Sequence, residues 1–216
     1  MMNLKEIFKH YADDLGEGAD IRKEAIASIE QAFPERTAKT LNKGGGLMGT
    51  ILAIDPGNTQ SGYVVVEHDG EEIRRVLKVG KKSNEDMFGV IVTPYDFYDH
   101  FAIEMIAGMG MAVGAETFDT CYWIGRFWQY AIDNSKAADQ TKIYRREEKL
   151  DLCGSLSAKD ANIRQALVDR YAPGQPNFGK GTKKNHGFFY GFSADMWAAM
   201  AVAVTYFDKY IKGVKL

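Results

Sequence analysis

Between Ile51 and Asp55 an unbroken apolar run stops at Asp55-Pro56-Gly57, and a β-branched run from Gly62 to Glu67 follows almost at once, ending at His68-Asp69-Gly70. A short run that is apolar at successive positions fits a strand buried on both faces, and Pro-Gly and Asp-Gly pairs form turns. A third strand over about Glu72 to Val79 comes too soon for a crossover, so the chain is expected to open as an antiparallel meander of three strands. Phe101 to Glu104 reads as a short buried strand, about Glu116 to Ile132 as a helix, and about Thr141 to Tyr144 as a further strand. Helices at about Ala158 to Tyr171 and Ala194 to Ile211 complete the series. Three antiparallel strands followed by strands alternating with helices predict an α/β fold, a mixed five-stranded sheet with helices on its faces.

The 216 residues suffice for one such domain and a small appendage. Residues 1–47 are the appendage. Ile21, Ile26, Ile29 and Phe33 suggest an amphipathic helix after an Asp20 cap, joined through Lys43-Gly44-Gly45-Gly46 to a domain over 48–216. The alternative is that Met48 is the true start, because a purine-rich ribosome-binding sequence upstream of it would translate as glycines.

A net charge of -2 does not by itself announce a nucleic-acid binder. The distribution says more, because Lys142 to Lys184 holds ten Lys or Arg against five Asp or Glu, either a solvated surface or a face for phosphate. Cys121 and Cys153 form no paired metal-ligand motif, which disfavours a zinc ribbon or a disulfide framework. Met196 to Val204, the most apolar stretch, is about half the length of a membrane span, and the N-terminus is charged, so a cytoplasmic protein is expected.

Three carboxylates stand where chemistry is expected. Asp55 and Glu104 each end an apolar strand, where a charge is costly to bury without a counter-ion. Asp195 opens an alanine-rich helix, and its bland role is to complement the helix dipole behind a Ser193 cap. Ala198, Ala199 and Ala203, however, permit that helix to lie close on the sheet and bring Asp195 beside the other two. Such a cluster repels itself unless cations neutralise it, and all-oxygen ligands favour Mg2+, with Mn2+ as a substitute. Two such ions would support in-line hydrolysis of a phosphodiester.

Taken in order, Ile54-Asp55-Pro56-Gly57, Gly62-Tyr63, Phe101-Ala102-Ile103-Glu104 and Ala194-Asp195 resemble the RuvC-like Holliday junction resolvases of the RNase H-like superfamily. Leu152-Cys153-Gly154-Ser155, the stretch from Ala158-Lys159-Asp160 to Arg164-Gln165-Ala166-Leu167, and Asp195-Met196-Trp197-Ala198-Ala199 look like the phage-encoded branch in particular. The resemblance implies a Mg2+-dependent endonuclease acting on branched DNA as a homodimer, in a bacterial cytoplasm if phage-encoded. It implies Asp55, Glu104 and Asp195 as metal ligands, with Lys149 and Lys159 as candidates for the basic active-site residues. It also implies a fourth ligand one turn before Asp195. Position 192 is Phe, which departs from that pattern, and His186, in a glycine-flanked loop, is the substitute considered.

Gly108 to Gly114 lacks dinucleotide-fingerprint spacing and is expected to be a junction-contacting loop, with Met105, Met109 and Met111 either as wedges against bases or as core filling. Phe118, Tyr122, Trp123, Phe127 and Trp128 exceed one helical stripe, so part of the set is either a dimer surface or a second buried side. Two rival functions stay open. Asp55-Pro56-Gly57-Asn58-Thr59 also resembles the first phosphate turn of the actin-like ATPase kinases, and Phe192 leaves room for a non-catalytic branched-DNA-binding protein.

Overall fold

The computed structural model describes residues 48–92, 98–108, 113–135, 137 and 139–213. The expected N-terminal arm over 1–47, and Met109 and Met111 of the glycine-rich loop, lie outside the described residues.

The five strands are β1 (Gly49–Asp55), β2 (Gln60–His68), β3 (Ile73–Ser83), β4 (His100–Met105) and β5 (Asp139–Tyr144). They form one sheet in the order β3-β2-β1-β4-β5. β1, β2 and β3 pair antiparallel, and β4 and β5 add on in parallel. The fold class read from the sequence is therefore the fold observed. β1 is central, which is why it carries no polar residue between Thr50 and Asp55.

Alternation along β1 divides the core. Leu52 and Ile54 face a cluster with Phe101, Ile103, Ile124 and Phe127, covered by α1 (Asn84–Ile91) and α2 (Ala115–Asn134). Ile51 and Ala53 face the other cluster, with Val64, Val66, Ala102 and Ile143, beneath α5 (Ala194–Tyr206). Between β5 and α5 the chain forms α3 (Arg145–Cys153) and α4 (Asp160–Tyr171), which pack on each other and on α5. The last turn, Phe207–Ile211, widens to π geometry. Among the described residues no helix is long and apolar enough to cross a membrane.

α1 and α3 were not expected. Ser83 starts α1 by accepting the Asp86 N–H at 3.2 Å, directly where β3 stops. β3 itself runs past the expected Val79 to Ser83, because the ladder with β2 continues to Gln60. Ser193 does not cap α5 with its side chain; its hydroxyl turns to the Met196 sulfur at 3.7 Å.

The sequence-expected aromatic surplus on α2 divides. Phe127 is fully buried, Trp123 and Trp128 are partly covered, and Phe118 and Tyr122 remain 63% and 61% exposed. The helix thus has an open aromatic side as well as a buried one. Met105 packs partly buried on the α1/α2 core cluster, the filling role considered for it.

Candidate active site

Strand register builds the site. Asp55 pairs with Gly62 and Gly62 with Lys81, so these three residues form a row across β1, β2 and β3. On the other side of β1, Ile54 pairs with Ile103, so Asp55 and Glu104 leave two neighbouring parallel strands side by side. Alternation puts Asp55 on the face of Ile51 and Ala53 and Glu104 on the face of Ala102, the face that α5 covers.

Gly62 admits the third carboxylate. A Cβ at this position would lie 2.7 Å from the Asp195 carbonyl oxygen and 3.0 Å from the Asp195 Cβ. Only a bare α-carbon lets the first turn of α5 settle on the sheet there. Buried Ala199 and Ala203 keep the rest of the helix close, as expected of them, whereas Ala198 is only partly buried.

The electrostatics follow from this crowding. Asp55 is within hydrogen-bonding reach of Glu104, and burial, the Glu104 charge and that hydrogen bond push its carboxyl up to about 9, with Asp195 and Glu148 adding to the effect. Lys81 forms an ion pair with Asp195. Glu148, in the first turns of α3, is fully buried and is pushed up to about 8 by burial and then by Glu104, against the opposing pull of Arg145. Arg145 pairs with both Glu148 and Asp160, and these carboxylates with Glu104 keep its guanidinium charged despite burial. Carboxylates from β4, α5 and α3 therefore all act on Asp55 at one end of the sheet.

The other candidates fall elsewhere. His186 forms an isolated bridge with Gly181 and stacks on the Tyr190 ring at 3.4 Å between centroids, and no described contact joins it to the carboxylates. Its proposed ligand role has no geometric support. Phe192 is buried against Phe189 and Trp197, so the turn before Asp195 serves the core. Lys149 is half-buried on α3, with its main-chain carbonyl taken up by the helix end, and Lys159 is exposed at the start of α4. Neither lysine pairs with a described carboxylate. Lys81, Arg145 and Glu148 are the residues sequence reasoning missed.

The donor set is all carboxylate oxygen, the chemistry that suits a hard divalent cation. Among the described residues no group of three or more His, Cys, Asp or Glu side chains is placed so that it could hold a metal ion without rearrangement. Here burial and Glu104 favour the neutral form of Asp55, and Lys81 and Arg145 lie against Asp195 and Glu148. Of the carboxylates that act on Asp55, Glu148 has a buried oxygen, Oε1, with no hydrogen-bond partner. The chemistry of these donors, though not yet their spacing, fits such a cation.

No protein-family model and no curated protein sequence matches the chain. Among solved structures, that of Thermus thermophilus RuvC is similar with a TM-score of 0.54 at 17% identity, covering 77% of this chain and 98% of that one. T. thermophilus RuvC in complex with a Holliday junction substrate is similar with a TM-score of 0.54 at 15% identity, over the same shares of the two chains. The chain has the RuvC-like, RNase H-like fold.

Proposed function

We propose that this chain is a structure-selective DNA endonuclease that resolves Holliday junctions or other branched DNA. The observation that carries the reading is the convergence of Asp55, Glu104 and Asp195 at one end of the central strands of a RuvC-like fold. Asp55, Glu104 and Asp195 would hold Mg2+ or Mn2+, two ions per site. Bound there, the ions would activate water and stabilise the leaving oxygen of a phosphodiester.

The chain's own groups support that chemistry. Asp55 has a high proton affinity and sits beside Glu104, so a cation binding between them displaces a proton. Lys81, tied to Asp195, is a cation at the rim able to meet a phosphate oxygen once a metal takes its place on that carboxylate. Lys149 and Lys159 keep the same candidate role on weaker geometric grounds. Exposed Lys183 and Lys184 suit contact with the DNA backbone, which positions a substrate without reading its sequence. The phage-branch assignment rests on the stretches around Leu152, Ala158 and Asp195.

Two opposed cuts need two such centres. We therefore infer a two-fold homodimer, for which Phe118 and Tyr122 on α2 offer an exposed aromatic patch. The kinase alternative is weakened by the turn itself: the Gly57 N–H donates to Ser61 Oγ at 3.3 Å, and Asn84 Nδ2 donates to the Gly57 carbonyl at 2.9 Å. That main chain is engaged internally rather than offered to a nucleotide. The test is nicking of a synthetic four-way junction in Mg2+, with Ca2+ supporting binding and little cutting, alongside sedimentation of the free and junction-bound chain. A monomer that binds no junction and cuts nothing would overturn the reading.

A further inference from the structure

Two arginine–carboxylate pairs in the described chain invite comparison. Arg170 gives both guanidinium branches to Asp208, with Nη1 to Oδ2 at 2.5 Å and Nη2 to Oδ1 at 2.7 Å, so that both oxygens are satisfied. Such bidentate geometry is the mark of a structural ion pair. Arg145 behaves otherwise. It donates to only one oxygen of Glu148, Nη1 to Oε2 at 2.5 Å, and turns its other branch to the exposed Asp160.

Glu148 is 0% exposed, yet its Oε1 has no donor. Leaving a carboxylate oxygen buried and bare is expensive, and a purely structural pair gives no reason for it. Among the charges acting on Glu148, that of Glu104 is the strongest, and Glu148 in turn acts on Asp55. The topology explains this proximity. Glu104 pairs with Ile143 on β5, and α3 starts immediately after Tyr144, so its first turns rise beside the strand end that carries Glu104. The segment just before α5, by contrast, gives position 192 to a buried Phe.

We propose that Glu148 is a fourth carboxylate ligand of the divalent cation centre, presenting Oε1 beside Asp55, Glu104 and Asp195, with Arg145 as a positioning residue that fixes Oε2. This rests on the metal-centre reading above and extends it. α3 thereby adds a ligand to those of β1, β4 and α5. The arrangement leaves Oε1 as the only oxygen of the pair open to a cation, and it makes the Arg145 fork a brace rather than a competitor for that oxygen.

The test is calorimetric titration of the full chain with Mn2+ near neutral pH, with no DNA present, paired with thermal unfolding. The wild type and D208N, which breaks the comparison pair, are expected to bind Mn2+ alike while D208N unfolds at lower temperature. D55N is expected to lose tight binding, and E148Q to bind at least about tenfold more weakly, a loss of about 1.4 kcal/mol. E148D covers the case in which E148Q fails to fold: it keeps the charge facing Arg145 but falls one methylene short, and it is expected to show the same loss. Folded E148Q or E148D binding Mn2+ within about twofold of wild type overturns the Glu148 assignment while leaving the three-carboxylate centre standing. Absence of Mn2+ binding by the wild type overturns the centre itself, and the Glu148 assignment with it.

Discussion

At the end of the sheet where β1, β4 and β5 begin, polar groups answer one another: Asp99 accepts the Thr50 N–H at 2.8 Å and the Thr50 hydroxyl at 3.0 Å, and the Tyr206 hydroxyl donates to Asp139 at 2.6 Å. His100 Nδ1 stands 3.2 Å from the other Asp139 oxygen and 2.9 Å from the Tyr206 hydroxyl. Only His68 Nε2 in this group is left without a partner. At the opposite end, where β1 and β4 finish, carboxylates face carboxylates: burial with Glu104, Asp195 and Glu148 raises the proton affinity of Asp55, and burial with Glu104 raises that of Glu148. Apart from that ring nitrogen, the polar groups at the first end satisfy one another and contribute to folding. The other is crowded with like charge, which a proton or a bound cation would relieve.

The sharpest way to break this contrast is to alter the carboxylates singly. Glu104→Gln and Asp195→Asn are each expected to slow junction cleavage at least about a thousandfold while leaving junction binding largely intact. A gel assay with matched binding controls measures both, and near-normal turnover in either variant removes that residue from the ligand set.

A smaller effect concerns stability. Burial and Glu104 hold Asp55 up to about 9, and burial and Glu104 hold Glu148 up to about 8, whereas in the unfolded chain both titrate as ordinary carboxylates. Through that window the folded state binds more protons than the unfolded state, so these two groups lower stability as pH rises from the ordinary carboxylate range toward those values. Asp55→Asn removes one of them and is expected to raise Tm near pH 8 by at least about 3 °C, a gain that disappears below about pH 4. A Tm unchanged or lowered at the higher pH would show that like-charge crowding is not what distinguishes this end.

Gly62→Ala tests the close approach of α5. The new methyl would meet Asp195 main chain at 2.7 Å, so helix or strand must shift, at a cost of about 1–3 kcal/mol, and the misplaced Asp195 should reduce cleavage. Denaturant unfolding and the cleavage assay report the two effects. Tyr206→Phe, at the satisfied end, is expected to have the smallest consequence, losing about 1–2 kcal/mol with the Asp139 hydrogen bond and leaving cleavage unchanged.

The readable parts of this molecule are those in which burial imposes a pattern. β1 is apolar because both its faces are covered, and Asp55, Glu104 and Asp195 were visible because each interrupts or opens an apolar element. α3 gave no such signal. Its opening, Arg145-Arg146-Glu147-Glu148-Lys149, has no apolar stripe, and Glu148 is its one buried residue. An acidic residue just after the strand beside Glu104 was the available clue. Lys81 was hidden because the third strand was expected to stop at about Val79, whereas pairing with β2 carries it on through Lys81. His186 attracted notice as an isolated imidazole, and its partner is the neighbouring Tyr190 ring.

The contrast between the two ends is tested most directly by one comparison: the rate of Mg2+-dependent cleavage of a labelled four-way junction by the wild type, Asp55→Asn and Tyr206→Phe, measured side by side. The account predicts paired nicks by the wild type and by Tyr206→Phe, and none by Asp55→Asn. Cleavage by Asp55→Asn at a rate close to wild type, or a wild-type chain that binds the junction and leaves it uncut in both Mg2+ and Mn2+, would contradict it.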